Sequence, residues 1–452
     1  MSHRDIELLA IGAGPANLAL AVALEEMAPA SLARDSLIIE QQDGIVWQPG
    51  MLLPWSQSQV SFLKDLVTLR NPVSKYSFIN YLHDQSRLDD FINLGTFTPY
   101  RSEISQYLRW VAESLEKVRI EYGRRAVRVE PLLDADGTPG SWLVHLADGS
   151  TIACRYLVIG AGRDANIPDV LKDVDPGRYI HSTEFLTRTD ELDALAPKRV
   201  IVVGGAQSAA EMLWTAYQRY PEAECTMVMR SIGLSTYDGS KFTNELFYPS
   251  FIDEFHASRP EARAQMLSEM HRANYAGLAP SLLDSMYRQM YLEKLDGTQR
   301  LHMVTLSDIT AARSDEDEVV LTLSDRRDGS VRELAGDVVL LGTGFVRDMP
   351  AMVRGFGAAL GLDSLTVDRN YLLQTGASGP TSALCYLQGV NEATHGIADS
   401  LLSVLAARSG EITTDILRRR AGVRPTSATP SHTSADADEN TEEEAPAWSY
   451  AG

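Results

Sequence analysis

The chain has 452 residues, 44% hydrophobic and 23% charged, and carries a formal net charge of −20 from 41 basic and 61 acidic side chains. That length and composition allow two or three globular domains, each with its own core. The acidic balance argues against nucleic acid and anionic membranes as partners, and no apolar run reaches the roughly 18–20 residues that span a bilayer.

The N-terminus has no signal-peptide core and passes directly into a strand, which predicts a cytoplasmic protein. The apolar run Ile6 to Ile11 ends in Gly12-Ala13-Gly14-Pro15-Ala16-Asn17, and an apolar helical stretch follows through Leu18, Leu20, Val22 and Leu24. Strand, tight glycine turn and helix make a pyrophosphate site, because free backbone N–H groups and the helix dipole face the anion. A second strand, Ser36 to Ile39, ends in Glu40, where a carboxylate can accept hydrogen bonds from a ribose 2′-OH. Asn17 replaces the usual third glycine and predicts looser packing of the helix on the strand. The plainer alternative is a strand-turn-helix without a nucleotide.

Further along, Trp142 to Leu146 with Ala147-Asp148-Gly149-Ser150 reads as a hairpin leading to Tyr156-Leu157-Val158-Ile159 and Gly160-Ala161-Gly162. Gly177 to Phe185 echoes the GxxxHxxxF part of a flavin-monooxygenase signature, with Asp175 in an aromatic position, and reads as a linker. A second nucleotide turn begins at Arg199 to Val203, then Gly204-Gly205-Ala206-Gln207-Ser208, with Ala206 where a glycine would allow closest approach. The next strand, Cys225 to Met229, ends in Arg230. A guanidinium there suits a 2′-phosphate that a carboxylate would repel; otherwise it is a solvated arginine. The pair predicts FAD at the first turn and NADPH at the second.

Residues 260–273 and 280–295 read as helices, with Pro280 in a first turn and a core stripe of Leu283, Met286 or Tyr287, and Met290 or Tyr291. Val338 to Leu341 before Gly342-Thr343-Gly344 is a further strand. Together with Tyr156 to Gly162 it is expected to return the chain to the first sheet on either side of an inserted domain. From about Arg424 the sequence is rich in Pro, Ser, Thr and acid and reads as a disordered tail. Three scattered cysteines without CxxC and nine histidines without HExxH predict no disulfide framework, dithiol chemistry or metal site. The expected fold is therefore α/β, with two dinucleotide-binding Rossmann-like domains and a small, mostly helical substrate-binding region. Its divisions are an FAD domain at 1–190 and 336–415, an NADPH domain at 191–335 with the helical segment at about 240–295, and the tail at 424–452.

The blocks Gln59-Val60-Ser61-Phe62-Leu63-Lys64-Asp65-Leu66, Arg70-Asn71-Pro72, Tyr76 to Leu82, Gly205 to Glu211, Asn244-Glu245-Leu246-Phe247, Asn274-Tyr275 and Thr394-His395-Gly396 through Ser403 carry a resemblance. Over about residues 5–415 the chain resembles the microbial L-ornithine N5-monooxygenases of hydroxamate siderophore pathways, with lysine N6-monooxygenases as near relatives. The resemblance implies that Gly12, Gly14, Pro15, Asn17, Glu40, Trp47, Gln48, Gln59, Ser400, Leu401 and Leu402 contact FAD. It implies that Gly205, Ala206, Gln207, Ser208, Arg230, Asn274, Tyr275 and Ala276 hold NADPH, and that Lys64, Asn244, Asn274 and Ser403 surround the substrate. Departures are Gln48, where the family often has His, and Ala273 and Ala276, where it often has Thr or Ser; these bear on substrate choice.

The implied activity is conversion of L-ornithine to N5-hydroxy-L-ornithine with NADPH and O2 through a C4a-hydroperoxyflavin. No protein nucleophile is expected, and relatives imply a homo-oligomer, often a tetramer. On the residues alone, Lys64 and two asparagines suit an α-amino acid's carboxylate, although a lysine among Phe62, Leu63 and Val67 is more often a snorkelling surface residue. The alternatives are a lysine N6-monooxygenase or diamine N-hydroxylase, a Baeyer–Villiger or sulfide-oxidising flavoenzyme, a disulfide reductase (disfavoured without CxxC), and a non-catalytic nucleotide-binding flavoprotein.

Overall fold

Short apolar runs such as Ser36–Ile39 and Val338–Leu341, buried along their whole length, form inner strands of the two larger sheets of the chain. The structure is a computed structural model and describes residues 3–135, 137–315, 317–375 and 382–422. The tail expected at 424–452 lies outside the described residues.

In chain order the first strands are β1 (His3–Ile11), β2 (Ser36–Ile39), β3 (Arg119–Glu121), β4 (Ala126–Leu133), β5 (Pro139–Leu146) and β6 (Thr151–Ile159). Then follow β7 (Tyr179–His181), β8 (Arg199–Val203), β9 (Glu224–Val228) and β10 (Leu301–Val304). The last are β11 (Ser307–Asp315), β12 (Glu318–Asp325), β13 (Val331–Gly336), β14 (Val338–Leu341) and β15 (Leu384–Leu387).

The first sheet runs β3-β2-β1-β6-β5-β4. Its β6 pairs antiparallel with β5 along its first half and parallel with β15 along its second, so two strands share one edge. Helices Pro15–Met27, Arg101–Glu113 and Leu405–Arg420 cover one face through Leu18, Tyr107 and Ile412; Trp142 and Phe356 pack on the other. The second sheet, β10-β9-β8-β14-β7, is parallel throughout. Helices Gln207–Arg219 and Pro280–Asp296 lie on one side, and an antiparallel sheet β11-β12-β13 lies on the other through Val319, Leu321 and Leu323.

One expectation is corrected here. Val338–Leu341 does not return to the first sheet; it pairs with Arg199–Val203 inside the second, and β15 makes the return. Because Tyr179–His181 also lies in the second sheet, that unit starts before residue 191 and ends after 335. The crossing point is a ladder between the two linkers, where Asn166 N–H donates to Gly344 O at 3.0 Å and Val346 N–H to Asp164 O at 2.9 Å. His181 bonds Gly344 O at 2.9 Å; the Gly177–Phe185 motif, expected as a linker, instead supplies the edge strand β7 of the second sheet, with Ile180 and Phe185 in that domain's core.

The helices expected near 260–273 and 280–295 form at Pro260–Glu269, His271–Asn274 and Pro280–Asp296, the last with Pro280 in its first turn. Met286 with Leu282 faces the core, whereas Tyr287 and Tyr291 are 71% and 56% exposed. The stripe is thus narrower than its apolar composition suggested.

Candidate dinucleotide and amine sites

The first glycine turn is shaped by close approach. Gly12 has φ +90°, and a Cβ there would lie 2.9 Å from Gly160 O. Gly14 has no such neighbour nearer than 4.0 Å, so its missing side chain clears space outside the turn. Pro15 opens the 13-residue helix, which has neither a side-chain cap nor an acid in its first turn, leaving its N-terminal dipole unneutralised. Glu40 accepts from Ala13 N–H at 2.7 Å and Gln42 N–H at 2.9 Å, and its carboxylate retains lone pairs for a hydroxyl.

Asn17 does the opposite of loosening the turn. It is fully buried, and its Nδ2 donates to Ile11 O at 2.9 Å and Gly12 O at 2.7 Å. Its Oδ1 accepts from Gln388 Nε2 at 2.8 Å, and Gln388 in turn accepts from Arg408, whose guanidinium is ion-paired with Asp399 at 2.8 Å. This buried chain ties the turn to the segment 397–403. Neither Gln388, Arg408 nor Asp399 carries a local sequence signal.

Trp47 N–H donates to Ser105 Oγ at 3.1 Å, and the exposed Gln48 adopts a left-handed φ of +52° at the start of the turn Pro49–Met51. Gln59 is exposed. Leu401 and Leu402 are partly buried, Ser400 is exposed and Ser403 buried.

At the second turn Gly204 has φ +135°, and a Cβ would meet Gly342 O at 2.4 Å. Gly205 lies beneath Met229 and Ser231, which brings the intervening Arg230 to this turn. Arg230 is exposed and has no hydrogen bond or ion pair among the described residues. Ala206 caps a 13-residue helix with no first-turn acid, and Ser208 is partly exposed. Gln207 turns inward: Nε2 donates to Glu211 and Oε1 accepts from Ala279 N–H, each at 2.7 Å.

Lys64 is half-buried and lines a cavity with Val60, Phe62, Ile104 and Leu402. Burial pushes its ammonium below the usual lysine range, and its Nζ has no hydrogen bond or ion pair among the described residues. The neighbouring Asp65 offers no compensation, since it accepts from Val67, Thr68 and Phe78 N–H. Asn244 and Asn274 lie on the short helices Lys241–Glu245 and His271–Asn274, and flanking residues Phe247, Ile252 and Met270 pack with Ile397 and Val404. Asn274 is half-buried and its side chain makes no hydrogen bond among the described residues; Asn244 is exposed, with Nδ2 donating to Gly239 O at 3.3 Å.

Tyr275 donates to Glu392, which is paired with Arg163 at 3.2 Å; its hydroxyl lies 3.1 Å from Ser400 Oγ. Burial and that carboxylate push the Tyr275 phenol up to about 12, so it stays protonated. Ala276 is partly exposed and its carbonyl accepts from Ser235. The three cysteines are buried and unpaired, and among the described residues no three metal-ligating side chains cluster. No helix among them is long and apolar enough to cross a membrane.

Residues 4–347 match the family model described as L-lysine 6-monooxygenase/L-ornithine 5-monooxygenase. The chain is 38% identical over 403 residues to an L-ornithine N(5)-monooxygenase of Burkholderia cepacia, covering 86% of this chain and 89% of that one. Among solved structures it resembles the ornithine hydroxylase of Pseudomonas aeruginosa, with TM-score 0.84, 35% identity and coverage of 92% of this chain and 99% of that one. It also resembles the ornithine N-hydroxylase of Kutzneria sp. 744 described with reduced FAD, NADP+ and L-ornithine, with TM-score 0.85, 32% identity and coverage of 92% and 99%. Two glycine turns, a half-buried unpaired lysine and this similarity along almost the whole chain agree: the protein belongs to the L-lysine 6-monooxygenase/L-ornithine 5-monooxygenase family.

Proposed function

We propose that this chain is an NADPH- and FAD-dependent L-ornithine N5-monooxygenase. The observation that carries the substrate is Lys64: a half-buried ammonium without an acceptor needs an anion, and an α-amino acid brings a carboxylate. Relatives named for ornithine support the choice of chain length.

The residues present fit both cofactors. The space beside Gly14 and the uncapped helix behind it suit the FAD pyrophosphate, with Glu40 able to take a ribose hydroxyl as well as the Ala13 amide. The exposed Arg230, which makes no hydrogen bond or close ion pair among the described residues and is flanked by Met229 and Ser231 against Gly205, suits the 2′-phosphate of NADPH. When bound, the pair supplies the reducing equivalents and the activation of O2. The protein's own work is positioning. In this reading Lys64 anchors the carboxylate and Asn244, Asn274 and Ser403 orient the amino acid, while Tyr275 ties the helical segment to Ser400 and Glu392. The reacting amine must also lose its proton, since an unperturbed alkylammonium with pKa about 10.4 is only on the order of a thousandth neutral near pH 7.5.

The test is hydroxylated product formed from ornithine, lysine and putrescine side by side, with peroxide measured in parallel. Ornithine should give tightly coupled product. Coupled turnover of lysine or putrescine instead would transfer the assignment to that amine, and NADPH oxidation unstimulated by any amine would leave a flavoprotein without this activity.

A further inference from the structure

Two domains joined by a pair of linkers move relative to each other unless something holds them. Here one carboxylate does the holding. Arg101, the first residue of the helix Arg101–Glu113, donates from Nη1 to Glu211 Oε2 and from Nη2 to Oε1, both at 2.7 Å. Nη1 also reaches Met51 O at 3.3 Å, in the turn that begins at Gln48. Glu211 sits on the helix that follows the second glycine turn, and its Oε1 accepts from Gln207, which in turn accepts from Ala279 N–H. The arginine and glutamate side chains are only 11% and 1% exposed.

Met51 and Leu53 reinforce the junction, since both leave the first domain's core and pack with Ala210 and Leu213 in the second. Apolar contact of this kind holds bodies together without fixing their angle. A bidentate guanidinium–carboxylate pair is directional. It connects the first-domain turn at Gln48–Met51, the second glycine turn and the start of the helix Pro280–Asp296.

We propose that Arg101 and Glu211 are positioning residues for hydride transfer, setting the second dinucleotide turn against the flavin loop. This rests on the function proposed above. The step is the passage of one hydride from NADPH to oxidised flavin, leaving NADP+ and the two-electron-reduced flavin anion. It needs reacting atoms about 3–3.5 Å apart, and a displacement near 1 Å can cost on the order of a hundredfold.

The experiment is anaerobic stopped-flow reduction of the FAD-loaded protein. The double variant Arg101→Met/Glu211→Met removes both charges together, so no lone ion is left buried. Melting temperature, bound FAD, NADPH dissociation constant and reduction by dithionite should stay near wild type, while the limiting rate of reduction by NADPH falls tenfold or more. Arg101→Lys, which keeps the charge and loses the fork, should fall in between. A wild-type limiting rate in the double variant overturns the proposal. If that variant loses FAD or melts early, Arg101→Lys decides: a slowed limiting rate with FAD and stability intact sustains it, and an unchanged rate overturns it. Wild-type protein that takes no electrons from NADPH would instead overturn the underlying function.

Discussion

Replacing Lys64 with methionine should weaken ornithine recognition without weakening the fold. The substitution keeps most of the apolar stem that packs near Phe62 and Leu402, and it removes an ammonium that burial disfavours and no acceptor offsets. Folding stability should therefore hold or rise slightly. A charge-assisted hydrogen bond contributes about 1.5–3 kcal/mol, and because Lys64 is only half-buried the lower part of that range applies, about 1.5–2 kcal/mol or a 10- to 30-fold rise in the ornithine KM. Putrescine lacks the carboxylate and should change much less. Since the folded pKa of Lys64 is depressed, the folded state releases this proton at lower pH than the unfolded chain. The destabilising cost of the buried charge is then present below the lowered value and relieved as pH rises through it toward 10.5. In the same window the carboxylate loses its counter-ion, so the wild-type ornithine KM should climb with pH through that window and the variant's should climb less. Steady-state product assays on both substrates across pH 7 to 10 test this, with thermal melts alongside. An unchanged ornithine KM in Lys64→Met would refute the argument.

Other substitutions report on the nucleotide turns. Arg230→Ala should narrow the preference for NADPH over NADH by roughly tenfold or more in stopped-flow flavin reduction, because the arginine makes no hydrogen bond or close ion pair among the described residues and feels only the through-space charge of Asp308. Asn17→Ala strands the Gly12 carbonyl and the Gln388 amide, while Ile11 O keeps its bond from Gly160 N–H, a loss of about 2–4 kcal/mol that denaturant titration and bound-FAD content should both register. Gly204→Ala forces a Cβ to within 2.4 Å of Gly342 O at a φ of +135°, and it should destabilise the second domain by about 2 kcal/mol or more; a wild-type midpoint would show that the turn can relax.

Local chemistry made much of this protein legible before any tertiary contact was known. Gly12 and Gly204 follow apolar strands and precede helices, and only glycine tolerates those backbone angles at such close approach, so both turns could be read directly. Pro280 at a helix start and the hairpin through Gly149 are equally local. What stayed hidden depends on residues distant in the chain. Val338–Leu341 and Leu384–Leu387 are both short, fully buried apolar runs, and only their hydrogen-bonded neighbours assign one to each sheet. Asn17 looked like a defect in a glycine motif until Gln388, 371 positions away, supplied its partner. Glu211 is one acid on an amphipathic helix until Arg101 arrives from the other domain. On the helix Pro280–Asp296, period alone left Met286 and Tyr287 equivalent; the sheet beneath selected the methionine, because tyrosine's hydroxyl needs water or a partner that the core does not offer. Lys64 shows the division most sharply: its position was readable from the sequence, but that its Nζ has no hydrogen bond or ion pair among the described residues, with the nearby Asp65 taken up by backbone amides, is decided by what the fold packs against it.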